Sequence, residues 1–460
     1  MHIHILGICG TFMGGVAALA RAAGHKVSGC DGNVYPPMST QLRELGIEIH
    51  KGFDAAQLDI QPDCVVVGNI MSRGFQVVEA MLDRGIPYTS GPQWLAEHVL
   101  QKQHVLAVAG THGKTTSASM LAWILHDAGL EPGFLIGGIP ANFGVSARFG
   151  GSKYFVVEAD EYDTAFFDKR AKFVHYRPRT VVLNNLEFDH ADIYKDLDAI
   201  KWQFHQLLRM VPGSGKIICN GSDANLPSLL QQGCWTPLEY FSCGDKNGTG
   251  DGWQARFVNS NQRRISVTSP AGKTAESSWQ MGGQHNLENA LAAIAAACDV
   301  GVAFEDAVDS MARFDGVKRR MERTATVANI AIYDDFAHHP TAIRRSIDAM
   351  KKRYPGHRVV IAIEPRSNTM KMGVHKDALA DSLAAADVIW MYRPEDVGAE
   401  FEESLRPLGD KLRLHKDYDK LVNDMSVKVL SGDQVIFMSN GGFGGARQTL
   451  TAVLQRTRGA

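Results

Sequence analysis

The feature that most constrains this chain is a turn, Gly110-Thr111-His112-Gly113-Lys114-Thr115-Thr116, between an apolar strand at Val105–Ala109 and a helix predicted over Ser117–Ala128 from its apolar spacing. Phosphates are held by backbone N–H groups at a helix N-terminus, by a cation, and by a hydroxyl that shares a magnesium ion. Gly113, Lys114 and Thr115 supply all three behind a strand. The longer glycine pattern would place glycine at position 108, which is Val108, so the nearer Gly110 makes this the shorter G-T-x-G-K-T form. A turn that only caps a helix, with Lys114 in solvent, is the competing reading; the strand, the lysine and the paired threonines weigh against it.

A strand feeding a phosphate turn belongs to an α/β sheet, and the flanking sequence continues that pattern. Upstream, strand His2–Leu6, a glycine turn, a helix from about Phe12 to Ala23 and strands at Lys26–Cys30 and Cys64–Val67 read as βαβ units. Downstream, the unbroken apolar runs Tyr154–Glu158 and Thr180–Leu183 predict further parallel strands. The polar, Gly- and Asn-rich stretch from Cys243 to Ser278 predicts antiparallel hairpins or a surface excursion. A third series follows: strand Ile330–Tyr333, a helix opening at Pro340, strand Val359–Ile363, a helix near Leu379, and strands Asp387–Met391 and Val435–Met438. With 460 residues, one core is too few and three domains are expected.

Charge narrows the partners. Lys and Arg total 48 against 50 Asp and Glu, so no global field favours nucleic acid or an anionic membrane. No stretch reaches the roughly 20 apolar residues that span a bilayer, and the first apolar run is too short for a signal segment. Seven scattered cysteines with no C-x-x-C pair argue against a disulfide framework and fit a reducing cytoplasm.

Other candidate residues gather at predicted strand ends, where ligands collect in α/β sheets. Glu158, Asp160 and Glu161 follow one strand, and Asn184, Asn185, Glu187, Asp189 and His190 follow another. Thr115 with one carboxylate and one histidine could hold magnesium; taken singly, Glu158 and Asp160 read equally as solvated loop acids and His190 as a helix-start residue, and only their shared position favours the metal. The first turn, with Gly7, Gly10, Thr11, Met13 and Gly14, approaches a dinucleotide fingerprint but carries Cys9 and Phe12 where glycines would stand. It reads either as a diphosphate cradle with Asp31 beside it or as packing alone. A nicotinamide oxidoreductase built on it would leave GTHGKTT without a role. His285 to Asn289 opens an Ala-rich helix, where an amide reads a base or caps the helix, and Lys318-Arg319-Arg320, just before the third domain, reads either as hinge cations that reach phosphates when the domains close or as a solvated basic face. Arg73, His175 and Arg177 read either as substrate contacts or as salt-bridge partners.

Taken in order, GTHGKTT, EADEYD, NNLEFDHADIY, GQHNLENA and YDDFAHHPTA resemble the Mur ligases of bacterial cell-wall synthesis along essentially the whole chain. That resemblance implies an N-terminal Rossmann-like domain for a UDP-sugar (1–104), a central P-loop ATPase-type parallel sheet with added β elements (105–322), and a C-terminal Rossmann-like domain for the amine (323–460). It implies ATP and Mg²⁺ as cofactors and an acyl-phosphate route to an amide. EADEYDTAFFDKR, FVHYRPR, IEPRSNTMKMG and MSNGGFGG resemble the branch that joins UDP-N-acetylmuramate to the murein tripeptide L-alanyl-γ-D-glutamyl-meso-diaminopimelate. The branch that adds L-alanine to the same nucleotide sugar is the alternative.

By motif, Lys114 would hold the terminal phosphates and Thr115, Glu158 and His190 the magnesium, while Asn289 would meet adenine and Arg320 a phosphate. Asp335 and His338 would approach the nucleotide from the third domain, and Arg366, Asn368, Lys371 and Asn440 would face the peptide. Several Mur ligases carry a carbamoylated lysine where this chain has His205, so no carbamate is expected.

Overall fold

The computed structural model describes residues 1–34, 38–244, 252–366, 376–393 and 399–459. Its three principal sheets follow one another along the chain. The first contains β1 (His2–Leu6), β2 (Lys26–Asp31), β3 (Glu48–Lys51), β4 (Cys64–Val67) and β5 (Tyr88–Ser90) in the order β3-β2-β1-β4-β5, all parallel. Ile3, Ile5 and Val65 to Val67 are fully buried because helices cover both faces. The strand order reverses direction between β1 and β4, so the turn after β1 opens into the crevice of a topological switch point.

The middle sheet uses β6 (His104–Ala109), β7 (Gly133–Leu135), β8 (Ala147–Arg148), β9 (Tyr154–Ala159), β12 (Thr180–Leu183), β13 (Lys216–Asn220), β14 (Leu238–Cys243), β15 (Trp253–Phe257), β16 (Arg264–Thr268) and β17 (Thr274–Ser278). Between β9 and β12 a two-stranded hairpin is formed by β10 (Asp163–Ala165) and β11 (Asp168–Ala171). β6 lies between β9 and β12, parallel to both. That placement delivers the residues after β9 and after β12 to either side of the turn after β6. Within the Cys243–Ser278 stretch, the described strands β15, β16 and β17 pair antiparallel with one another, and β15 pairs parallel with β14, so they extend the sheet rather than leave it, with Trp253, Ala255, Ile265 and Val267 buried.

The third sheet pairs β18 (Glu322–Val327), β19 (Ile330–Asp335), β20 (Val359–Ile363), β21 (Val388–Tyr392), β22 (Leu412–His415) and β23 (Gln434–Met438) in the order β18-β19-β23-β20-β21-β22. Only β18 runs antiparallel to its neighbour. The lobes also dock. Phe166, in the β10–β11 turn, packs against the first-lobe core of Leu6, Val67 and Val77, and Phe167 meets Tyr88 edge-on at 5.0 Å.

Candidate active site

The helix after β6 begins at Lys114, three residues before its expected start at Ser117. Gly113, at φ +82°, is its N-cap. A Cβ at Gly113 would lie 2.3 Å from Oδ1 of Asn289, so both conformation and space require glycine there. The rest of the loop is tied to the segment after β12. Thr111 N donates to the Asn185 carbonyl at 3.1 Å, His112 N donates to Asn185 Oδ1 at 2.8 Å, and Glu187 N donates to Thr111 Oγ1 at 2.8 Å. The loop is therefore fixed before any ligand arrives.

Charged side chains converge on it. Lys114 is buried with Nζ 2.7 Å from Glu161 Oε2, and His190 Nε2 lies 3.2 Å from the other oxygen of Glu161. Thr115 Oγ1 donates to Glu158 Oε1 at 2.9 Å and accepts from the Arg320 guanidinium at 3.2 Å. Burial pushes the Glu158 carboxyl up, and Lys114, a Gly137 N–H and Arg320 only partly offset it. A partly buried carboxylate beside a hydroxyl in the cavity wall is suited to a hard cation. At His190 burial favours the neutral ring, but Glu161 and Asp189 outweigh it and raise the pKa. His190 also holds φ +56°, an unusual left-handed conformation for a residue other than glycine.

Two neighbouring arginines separate between the middle and third sheets. Arg319 and Met321 both have positive φ, +62° and +52°, and Arg320 between them turns toward Thr115. Arg319 instead donates to the carbonyls of Ser439 and Gly441 in the third lobe. Lys318 is exposed. Asp335, buried and raised by that burial, accepts from Ser346 Oγ at 2.6 Å, while burial lowers His338 and keeps it neutral.

The first turn is simpler. Asp31 accepts from Cys9 N and from Asn33 N, both at 2.9 Å, so it holds the turn closed. Gly10 caps the helix Thr11–Ala22 without any side-chain bond, so no side chain satisfies its first N–H groups, and Gly10 to Met13 line the cavity.

These regions wall a single cavity of about 820 Å³. Gly7, Gly10, Thr11, Met13 and Asp31 line it from the first lobe. Thr111 to Thr116, Glu158, His190 and Asn289 line it from the middle lobe, and Arg320, Asp335, His338, Arg366 and Asn440 from the hinge and the third lobe. Two expected residues lie behind the wall: Gly110 packs on Asn184 and Asn185, and Gly14 lies under Met38. Asn368 and Lys371 fall outside the described residues. Asn289 accepts from Ser117 Oγ at 3.0 Å, and neither it nor Asn286 caps its helix, whose N-cap is Gly283. His205 lies beside Trp235 with ring centres 5.9 Å apart and planes tilted by 38°, and is not in the wall. Arg73 pairs with Glu79, His175 with Asp168, and Arg177 is exposed; none of the three lines the cavity.

Sequence reasoning missed Lys172. It is buried in the same wall with Nζ 2.7 Å from Asp160, beneath the Phe12 ring of the first turn. Burial pushes Asp160 up, but Lys172 and Lys114 overcome this and hold it well below the usual carboxylate range. The basic run Asp168-Lys169-Arg170-Ala171-Lys172 was the available signal, though nothing local shows that its last lysine points inward. A second omission is a contact between lobes. Among the described residues, His112, Glu187 and His339 bring one potential ligand atom each within 4.8 Å of one another.

Known proteins share this arrangement. Family models for the Mur ligase family catalytic domain, the Mur ligase middle domain and the Mur ligase glutamate ligase domain match residues 2–103, 108–297 and 319–441. The chain is 51% identical to the UDP-N-acetylmuramate–L-alanyl-gamma-D-glutamyl-meso-2,6-diaminoheptandioate ligase of Escherichia coli strain K12, over 98% of this chain and 97% of that protein. A solved murein peptide ligase from Psychrobacter arcticus superposes with TM-score 0.77 at 48% identity, covering 99% of this chain and 98% of that one. Identity to the UDP-N-acetylmuramate–L-alanine ligase of Renibacterium salmoninarum is 31%, over 95% of this chain and 93% of that protein. With a P-loop lobe set between two further α/β lobes, and family matches along all three, the chain belongs to the Mur ligase family.

Proposed function

We propose that the chain is an ATP-dependent amide ligase that joins UDP-N-acetylmuramate to L-alanyl-γ-D-glutamyl-meso-diaminopimelate during peptidoglycan recycling. The observation that carries this reading is the single cavity walled by the P-loop, the first turn and the third lobe together. It can hold a triphosphate, a nucleotide sugar and an amine at one place. Identity of 51% to a tripeptide ligase, against 31% to an L-alanine ligase, supports the tripeptide as the amine. Nucleotide substrates and unpaired cysteines support a cytoplasmic site of action.

A carboxylate is a poor electrophile until one oxygen becomes a phosphate. In the proposed reaction the muramoyl carboxylate attacks the γ-phosphorus and ADP departs. The peptide amine then attacks the acyl carbon, the C–O bond breaks, and phosphate leaves. Lys114 moves from Glu161 to the β- and γ-phosphates, while Arg320 neutralises charge from the hinge. Asn289, Asp335 and His338 border the nucleotide. Thr115 and Glu158 fit a hard cation, and with His190 they would hold Mg²⁺, which supplies charge neutralisation on the transferring phosphoryl group. Gly10 and the adjoining helix N-terminus receive the diphosphate of the UDP-sugar. Arg366 and Asn440 face the peptide.

The test is ADP release with each component omitted in turn, followed by mass spectrometry of the product. The reading requires both the nucleotide sugar and the tripeptide. Turnover indifferent to either contradicts it, and preference for free L-alanine would move the chain to the other branch.

A further inference from the structure

Glu187 connects the P-loop to the third lobe. Its Oε2 lies 3.3 Å from Nε2 of His112 and accepts a 2.7 Å hydrogen bond from Oγ1 of Thr341. His112 belongs to the loop after β6, whereas Thr341 lies in the first turn of the helix Pro340–Arg353. His339 caps that helix, its Nδ1 accepting from Thr341 N at 3.3 Å, and its ring centre is 4.5 Å from that of His112. Burial favours a neutral Glu187, but His112, Thr341 and His339 outweigh it and bring the carboxyl down to about 2. The bond across the lobes is therefore made by an ionised acceptor, the stronger kind.

The same side chains could hold a transition-metal ion by spacing alone. Direct contact is favoured on two grounds. The Glu187 oxygen already carries the Thr341 hydroxyl, and His339 Nδ1 serves the helix N-terminus.

We propose that Glu187 and Thr341 form a latch that seats the third lobe on the P-loop, so that the amine rather than water reaches the acyl phosphate. Both are positioning residues, and the inference rests on the ligase reading above. If the third lobe swings away while the acyl phosphate exists, water adds to the acyl carbon and phosphate leaves with the bonding pair. The carboxylate is regenerated, and ATP has been hydrolysed without an amide. A loosened latch thus appears as uncoupling, not as weaker nucleotide binding.

The experiment compares phosphate released with amide formed in one reaction, at saturating ATP, nucleotide sugar and tripeptide. Thr341→Val keeps the outline of the side chain and removes the donor, so folding is preserved, while Thr341→Ser restores the hydroxyl. Loss of one charge-assisted hydrogen bond predicts a rise of about tenfold in phosphate per amide for Thr341→Val, with ATP affinity unchanged. Glu187→Ala should show the same excess, and Thr341→Ser should return toward the unaltered ratio. A ratio unchanged in both Thr341→Val and Glu187→Ala overturns the latch, as does a drop in ATP affinity that accounts for the whole effect. If the unaltered chain makes no amide from the tripeptide, the ligase reading fails first and the latch fails with it.

Discussion

The first turn of the N-terminal lobe and the P-loop of the middle lobe share a plan: a central parallel strand, a glycine turn, then a helix with its N-terminus toward the cavity. They differ in what surrounds the turn. Asn185 and Asn289 brace the P-loop, Lys114 sits inside it, and Glu158, Glu161 and Arg320 converge around it. The first turn has Asp31, whose two oxygens are both engaged with backbone N–H groups, and its capping Gly10 makes no side-chain bond. In the proposed reaction the first turn holds, through backbone donors, a diphosphate that does not react. Moving a phosphoryl group additionally needs a fixed cation, a metal-binding carboxylate and a loop that cannot yield.

That contrast is broken or sharpened by substitution. Lys114→Ala should lower turnover by at least about a thousandfold, and ADP release measures it; a loss under tenfold would erase the distinction between the turns. Glu158→Gln should cost about a hundredfold and demand more Mg²⁺ for half-maximal rate, read from a magnesium titration. Asp31→Ala removes the acceptor of two backbone donors and should raise KM for the nucleotide sugar about tenfold, leaving KM for ATP unchanged. Equal effects on both substrates would show that the turns do not divide the labour. Cys9→Gly, which moves the first turn toward a fingerprint glycine, should change either KM by no more than about threefold.

Legibility in the sequence follows the range of the interactions. The P-loop was readable because strand, turn and helix are consecutive, and the apolar runs Cys64–Val67, Thr180–Leu183 and Val359–Ile363 became strands with the expected bounds. That the acidic cluster Glu158–Glu161 meets the P-loop followed from strand ends meeting in a parallel sheet, whereas the choice of Glu158 as the partner of Thr115 came from the Mur ligase resemblance. What could not be read depends on direction. Arg319 and Arg320 are adjacent and both cationic, yet positive φ at Arg319 and Met321 sends them to different lobes, and neither residue type signals that conformation. Lys172 follows a hairpin that Phe166 and Phe167 dock on the first lobe and pairs there with Asp160, contacts with no local periodicity. The Glu187–Thr341 bond likewise joins segments that only the packed lobes bring together.

The central claim is that a phosphoryl group passes from the nucleotide held at the P-loop to the acid of the sugar. The most direct measurement labels both carboxylate oxygens of UDP-N-acetylmuramate with ¹⁸O and follows the label by mass spectrometry during amide formation. The account predicts one ¹⁸O in the released phosphate for each amide made. Unlabelled phosphate accompanying labelled amide would contradict it.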